Sequence, residues 1–136
     1  MDCLCLNTRQ AARSLTRLYE EHLRGCNLTP AQFGLLSMLA QRPGLSQQVM
    51  ADMLDLDQTT LSRNLRLMIA NKWIAGTRSK EDRRQTCYAV TAAGLEVRRT
   101  AAGHWKQAQE RMREALGADW ETAFAILRRL SSVAVA

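Results

Sequence analysis

The chain has 136 residues, 46% of them apolar and 24% charged, with a formal net charge of +6 and a sequence pI of about 9.7. That is one domain's length with a modest core, and the basic balance suits an anionic partner, nucleic acid or an acidic membrane surface, without choosing between them. Asp2, Arg9, Arg13 and Arg17 interrupt the N-terminal apolar residues, no stretch reaches the ~20 apolar residues of a membrane helix, and Cys3, Cys5, Cys26 and Cys87 lack the density of a secreted disulfide scaffold, so a cytoplasmic protein is expected.

The pattern predicts a mostly α (α+β) chain of about six helices and one two-stranded hairpin. A first helix is expected from about Asn7 to Leu23, with Ala11, Leu15, Leu18 and His22 sharing a face. Gly25 to Asn27 breaks it. Thr29 is placed as an N-cap, Pro30 at the first helical position and Gln32 for a capping box. The helix they open carries Phe33, Leu36, Met38, Leu39 and Ala40 and stops near Pro43-Gly44. Ser46 then caps a short helix to about Leu54, with Val49, Met50 and Met53 expected inward.

Asp55-Leu56-Asp57 is a tight connection. Asp57 caps the next helix, Gln58 to about Asn71, its carboxylate set against free N–H groups and the positive end of the helix dipole. Leu56 and Leu61 stand at the positions of a hydrophobic staple. Two short helices joined this closely are a helix-turn-helix pattern. Trp73 to Arg78 and Gln85 to Val90 read as strands around the charged turn Ser79 to Arg84, which makes a wing. Thr91 caps a long helix to about Leu116, weakened by Gly94 and Gly103 and ended by Gly117. Asp119 is expected to cap a last helix bearing Trp120, Phe124, Leu127 and Leu130.

The helix after Asp57 has two faces. Leu61, Leu65 and Met68 belong to the core, while Gln58, Thr59, Ser62, Arg63 and Arg66 lie elsewhere on the rod. Arginine can donate twice to a guanine edge, and hydroxyls bond phosphates or bases, so this second set suits a major groove. A plain solvated face would use the same residue types. The wing carries Arg78, Lys80, Arg83 and Arg84, cations that a narrow minor groove attracts, with Asp82 placed to hold the tip's shape.

The segment Asp57 to Gly94 resembles the MarR family of bacterial transcriptional regulators. Thr59-Thr60-Leu61-Ser62-Arg63 stands at that family's recognition helix, Trp73-Ile74 opens the first wing strand, and Asp82-Arg83-Arg84 matches its D-x-R turn. Thr91-Ala92-Ala93-Gly94 matches its L-T-x-x-G, with Val90 at the Leu position. The resemblance implies a single MarR-type domain over 1–136, with 29–91 as the winged helix-turn-helix lobe and 1–28 and 92–136 as dimerisation helices. It implies a homodimer on a palindromic double-stranded operator, acting as a repressor released by a small phenolic ligand or by oxidation. Arg84 is by resemblance the minor-groove arginine and Asp82 its structural companion.

Leu4-Cys5-Leu6 and Tyr19 resemble the branch of this family that senses organic hydroperoxides through one cysteine and tyrosines of the partner subunit. The second tyrosine of that branch falls near Pro30, where this chain has none. Cys5 is alternatively a small packing residue, or with Cys3 and Cys26 or His22 part of a soft-metal site. Cys87 on a wing strand is expected to pack. No cofactor is expected, and neither a convergent nucleophile and base nor a nucleotide-binding loop marks an enzyme. The remaining rival is a helix-rich interaction module that does not bind DNA, against which the arginines at 63, 66, 78 and 84 argue.

Overall fold

The computed structural model describes residues 2–54 and 56–133. In chain order they form α1 (Leu4–Leu23), α2 (Pro30–Gln41), β1 (Leu45–Ser46), α3 (Gln47–Leu54), α4 (Gln58–Ala70), β2 (Ile74–Arg78), β3 (Thr86–Val90), α5 (Ala92–Leu116) and α6 (Trp120–Ser131). Short 3-10 turns at Arg24–Cys26 and Gly117–Asp119 follow α1 and α5. Asp55, read as part of the connection between α3 and α4, lies outside the described residues.

α1 begins three residues earlier than expected. Asn7 does not open the helix but sits inside its first turns, its side-chain amide donating to the Cys3 carbonyl at 2.8 Å. α2 opens with the capping box that Thr29 and Gln32 predict. The Gln32 N–H donates to Thr29 Oγ1 at 3.2 Å, and the Thr29 N–H donates to Gln32 Oε1 at 3.1 Å. Gln32 is buried, and its Nε2 also reaches Asn64 Oδ1 at 3.4 Å, so the cap of α2 is tied to α4. Phe33, Leu35, Leu36 and Leu39 enter the core, while Met38 and Ala40 are only half-buried.

α3 corrects the expected inward set. Met50 and Ala51 are buried, but Val49 and Met53 are exposed. An eight-residue helix lying over α4 has room for one inward stripe, and the stripe runs through Met50, Ala51 and Leu54. Ser46 does cap α3, accepting from the Val49 N–H at 3.3 Å, but it is also a strand residue. Leu45 and Ser46 pair with Tyr88 and Cys87, so the sheet has three antiparallel strands in the order β1-β3-β2. Gly44, at a φ of 87°, turns the chain into this pairing, and its N–H donates to the Tyr88 carbonyl at 2.9 Å. β2 and β3 pair from Ile74↔Val90 to Arg78↔Thr86.

Leu61, Leu65 and Met68 of α4 are buried beside Leu36, Leu39, Met50 and Ile74. Each such side chain contributes about 1.5–3 kcal/mol by leaving water, so α4 is held mainly by this stripe. Thr91 accepts from the Gly94 N–H at 3.1 Å and caps α5 as expected. Gly94 has a stronger role than expected. A Cβ there would lie 2.1 Å from the Trp73 carbonyl oxygen and 2.8 Å from Val90 Cγ2. The residue read as weakening α5 is the one that lets α5 start against the base of the wing.

Asp119 precedes α6 but makes no side-chain capping bond. The Gly117–Asp119 turn runs directly into α6, so Asp119 already lies within helical winding and is not turned back toward the first N–H groups. α6 contains no buried residue; Phe124, Ile126 and Leu127 are 38%, 48% and 49% exposed. The Trp120 ring meets Phe124 edge-on at 5.0 Å, and the Arg113 guanidinium lies 5.2 Å from the centre of the Trp120 ring. No helix among the described residues is long and apolar enough to cross a membrane.

Gly94→Ala is expected to destabilise the fold by about 1–3 kcal/mol through overpacking. The measurement is urea unfolding, where the midpoint should fall with little change in slope. An unchanged midpoint would mean that the Trp73 carbonyl moves aside without cost.

Candidate nucleic-acid interface

α4 is positioned at both ends by its own sequence. At its N-terminus the Thr60 N–H donates to Asp57 Oδ1 at 2.7 Å and the Thr60 hydroxyl donates to Oδ2 at 3.0 Å. These bonds hold the Asp57 carboxyl below its ordinary value, the Thr60 backbone bond first, with smaller contributions from the Thr59 N–H and the Arg63 charge. At its C-terminus Asn71 Nδ2 returns to the Leu67 carbonyl at 2.8 Å, and Lys72, at a φ of 62°, turns the chain into the wing.

With Leu61, Leu65 and Met68 turned in, Gln58, Thr59, Arg63 and Arg66 are exposed. Ser62 is half-buried, and its Oγ accepts from Gln47 Nε2 of α3 at 2.7 Å. The same Nε2 donates to Gln58 Oε1 at 3.2 Å.

The wing tip is organised by its uncharged and acidic members. The Ser79 N–H donates to the Gln85 carbonyl at 2.9 Å and closes the turn. Ser79 Oγ accepts from the N–H groups of Glu81 and Asp82, and Asp82 Oδ1 accepts from the Arg84 N–H at 3.0 Å. Side-chain-to-backbone bonds of this kind fix a tight turn without using its long cations. Arg78, Lys80, Arg83 and Arg84 are all exposed. Among the described residues none of them, nor Arg63 or Arg66, forms an ion pair; the pairs present are Arg99–Glu96 and Arg113–Glu110, both within α5.

α3, α4 and the wing meet at an open polar recess lined by Gln47, Gln48, Gln58, Arg84 and Gln85. Arg84 and the first turn of α4 therefore face the same space. Gln47 and Gln48 were not among the residues picked out by sequence. The available signal was their place just after the Ser46 cap, in the first turn of the helix that packs on α4.

The two proposed sensor residues are not brought together within one chain. Cys5 is exposed in the first turn of α1. Tyr19 is nearly four helical turns away, about 21 Å along the axis, and its hydroxyl donates to Gln109 Oε1. Burial pushes the Tyr19 phenol up from its usual value. Among the described residues no group of three or more histidine, cysteine or acidic side chains is placed to hold a metal ion. Cys87 is half-buried. A second recess lies between α2 and α5, where the rings of Phe33 and Trp105 stand 5.8 Å apart and Arg98 Nε donates to Ser37 Oγ at 3.1 Å. Tyr19 and Lys106 complete its wall.

A capped two-faced helix laid on a shorter one, followed by a basic hairpin, defines a winged helix-turn-helix protein. Residues 27–85 match the model of the MarR family. A protein of Thauera aromatica, whose name proposes it as the transcriptional regulatory protein for the hcr operon, is 28% identical over 123 residues, 90% of this chain and 70% of its own. The Mycobacterium tuberculosis transcriptional regulator MosR in complex with DNA superposes with a TM-score of 0.81 at 26% identity, covering 96% of each chain. BpsR of Bordetella bronchiseptica, described with the regulation of its DNA binding by 6-hydroxynicotinic acid, superposes with a TM-score of 0.90 at 20% identity, over 98% of this chain and 96% of its own. The chain is thus similar to MarR-family transcriptional regulators over residues 27–85, and it shares their winged-helix fold along nearly its whole length.

The depressed carboxyl of Asp57 has a consequence for pH. A folded-state value below the unfolded one adds stability that is present above the unfolded value, about 3.9, and is lost as the pH falls through the folded value. Asp57→Ala should therefore be less stable than the wild type near neutrality, and the gap between their urea midpoints should narrow as the pH approaches 3. A gap that stays constant would show that the carboxylate charge adds nothing to the cap.

Proposed function

We propose that the protein is a cytoplasmic repressor that binds a palindromic operator as a homodimer and leaves it on binding a small phenolic ligand. The observation that carries DNA binding is the shared recess: Arg84 of the wing and Gln58 of α4 border one space, and Arg63 and Arg66 are exposed further along α4 with no ion pair among the described residues. α4 enters the major groove by its Gln58, Thr59, Ser62, Arg63 and Arg66 face, and the wing lays Arg84, with Arg78, Lys80 and Arg83, toward the adjacent minor groove. Asp82 acts through the backbone of the tip. That proteins of similar fold are seen bound to DNA supports DNA binding by this chain.

Residues 29–91 are the DNA-binding lobe, and 1–28 with 92–136 form the dimer. The uncovered apolar side of α6 continues into Leu15 of α1 and Met112 of α5, and a second copy is what would remove that surface from water. Two-fold symmetry then presents two α4 helices to half-sites one turn apart. The recess between α2 and α5 supports release by a ligand over release by oxidation. Phe33 and Trp105 offer faces to an aromatic ring, and Arg98 and Lys106 offer charge to an anionic substituent.

The test is gel-shift titration with DNA from beside the protein's own gene, across a series of salt concentrations. Arg84→Ala should weaken binding by about 1–3 kcal/mol and reduce the salt slope by roughly one unit. Arg63→Ala should cost a similar amount, but only on the selected sequence. Unchanged affinity in Arg84→Ala removes the wing from the interface, equal loss on random DNA limits Arg63 to phosphate contact, and no binding by the wild type returns the chain to the interaction-module reading.

A further inference from the structure

The side chain of Gln47 touches both Gln58 and Ser62, and it touches them with the same atom. Its Nε2 lies 2.7 Å from Ser62 Oγ and 3.2 Å from Gln58 Oε1. A primary amide nitrogen has two hydrogens and no acceptor capacity, so both contacts run outward from Gln47. The carbonyl of Gln58 is thereby turned toward α3, with one of its two lone pairs used, and its own NH2 group is the end turned away toward a ligand. The Ser62 oxygen is likewise occupied as an acceptor, and its hydroxyl hydrogen donates to no group among the described residues. Arg63 and Arg66, one residue and one turn further along α4, can only donate.

From this geometry we infer that Gln47 is a positioning residue that sets the hydrogen-bond polarity of the reading face, making α4 select base edges rich in acceptors. In the major groove that edge is guanine, with N7 and O6 both accepting, and secondarily thymine O4. Adenine is disfavoured under Gln58, because the bidentate glutamine–adenine pair needs the side-chain carbonyl to face N6, and Gln47 keeps that oxygen turned toward α3. Gln47 touches no base in this role. The inference rests on α4 being the DNA-reading helix and adds to it the chemical class of base that the helix reads.

The polarity can be reversed with one atom. Gln47→Glu replaces the shared NH2 by a carboxylate oxygen, which accepts only. Ser62 must then donate to it and Gln58 must turn its NH2 toward it, leaving the Gln58 carbonyl facing the groove. Gln47→Ala removes the constraint and lets Gln58 adopt either orientation. All three proteins would be tested on a library of duplexes randomised around the preferred site, and base preference scored as a ratio within each protein. General losses from added negative charge cancel in that ratio.

The wild type should select guanine at the base pair whose preference is lost in Gln58→Ala. Gln47→Glu should shift the guanine-to-adenine ratio there by about tenfold toward adenine, and Gln47→Ala should give an intermediate ratio. Circular dichroism melts of each variant would confirm that the fold is kept. A wild-type preference for adenine at that pair, or the same base ratios in all three proteins while the wild type still binds its site selectively, would overturn the role of Gln47 and leave the DNA-binding reading standing. Absence of selective binding by the wild type would remove both.

Discussion

The carbonyl oxygen of Trp73 is where the winged-helix half of the molecule is fastened to its long helix. It accepts from the Thr91 N–H at 2.9 Å and lies 3.0 Å from the Thr91 hydroxyl, which also reaches the Lys72 carbonyl at 2.6 Å. Thr91 in turn caps α5 through the Gly94 N–H. The contact is possible only because Gly94 has no side chain to occupy the same place. Within these few residues α4 has just ended, β2 is about to begin and β3 has just given way to α5. The base of the wing, the C-terminal end of α4 and the start of α5 therefore share one hydrogen-bonded knot. Neither the angle of the wing nor the placement of α4 could be kept if it opened.

From that knot outward, α4 divides its work by face. Leu61, Leu65 and Met68 hold it to the core, and Gln32 of α2 ties it laterally through Asn64. Asp57 satisfies the N–H groups of its first turn, where an exposed end would otherwise fray. Among the described residues Gln58 and Ser62 are engaged by Gln47 of α3 and the Thr60 hydroxyl joins the Asp57 cap, while Arg63 and Arg66 form no ion pair. The wing repeats the arrangement: Ser79 and Asp82 make the turn, and the cations do not take part in it with their side chains.

What could be read from the sequence was local. The Thr29–Gln32 capping box, the Asp57 cap, the Thr91 cap and the inward stripe of α4 each depend on residues three or four apart, and all stand where the pattern put them. What could not be read depended on distant partners. Leu45-Ser46 becomes a strand only because β3 passes beside it, and two residues carry no strand period of their own. Val49 and Met53 share a face with each other, but on a helix this short the orientation over α4 is set by Met50 and Ala51. Gly94 is unremarkable as a helix residue until Trp73, twenty-one positions earlier, is folded against it. The same holds at the candidate interface: the arginines announce themselves by charge, whereas Gln47 meets Gln58 and Ser62 only when α3 lies across α4.

In the proposed assembly two copies of this chain read two half-sites of one duplex with paired helices and wings. The most direct measurement is a hydroxyl-radical footprint of the wild-type protein on DNA from beside its own gene. Two symmetric protected segments are expected, with centres one helical turn, roughly 10–10.5 base pairs, apart or a multiple of it, flanked by minor-groove protection from the wings. A single unsymmetric patch, or protection that covers the duplex uniformly without a repeated half-site, would contradict it.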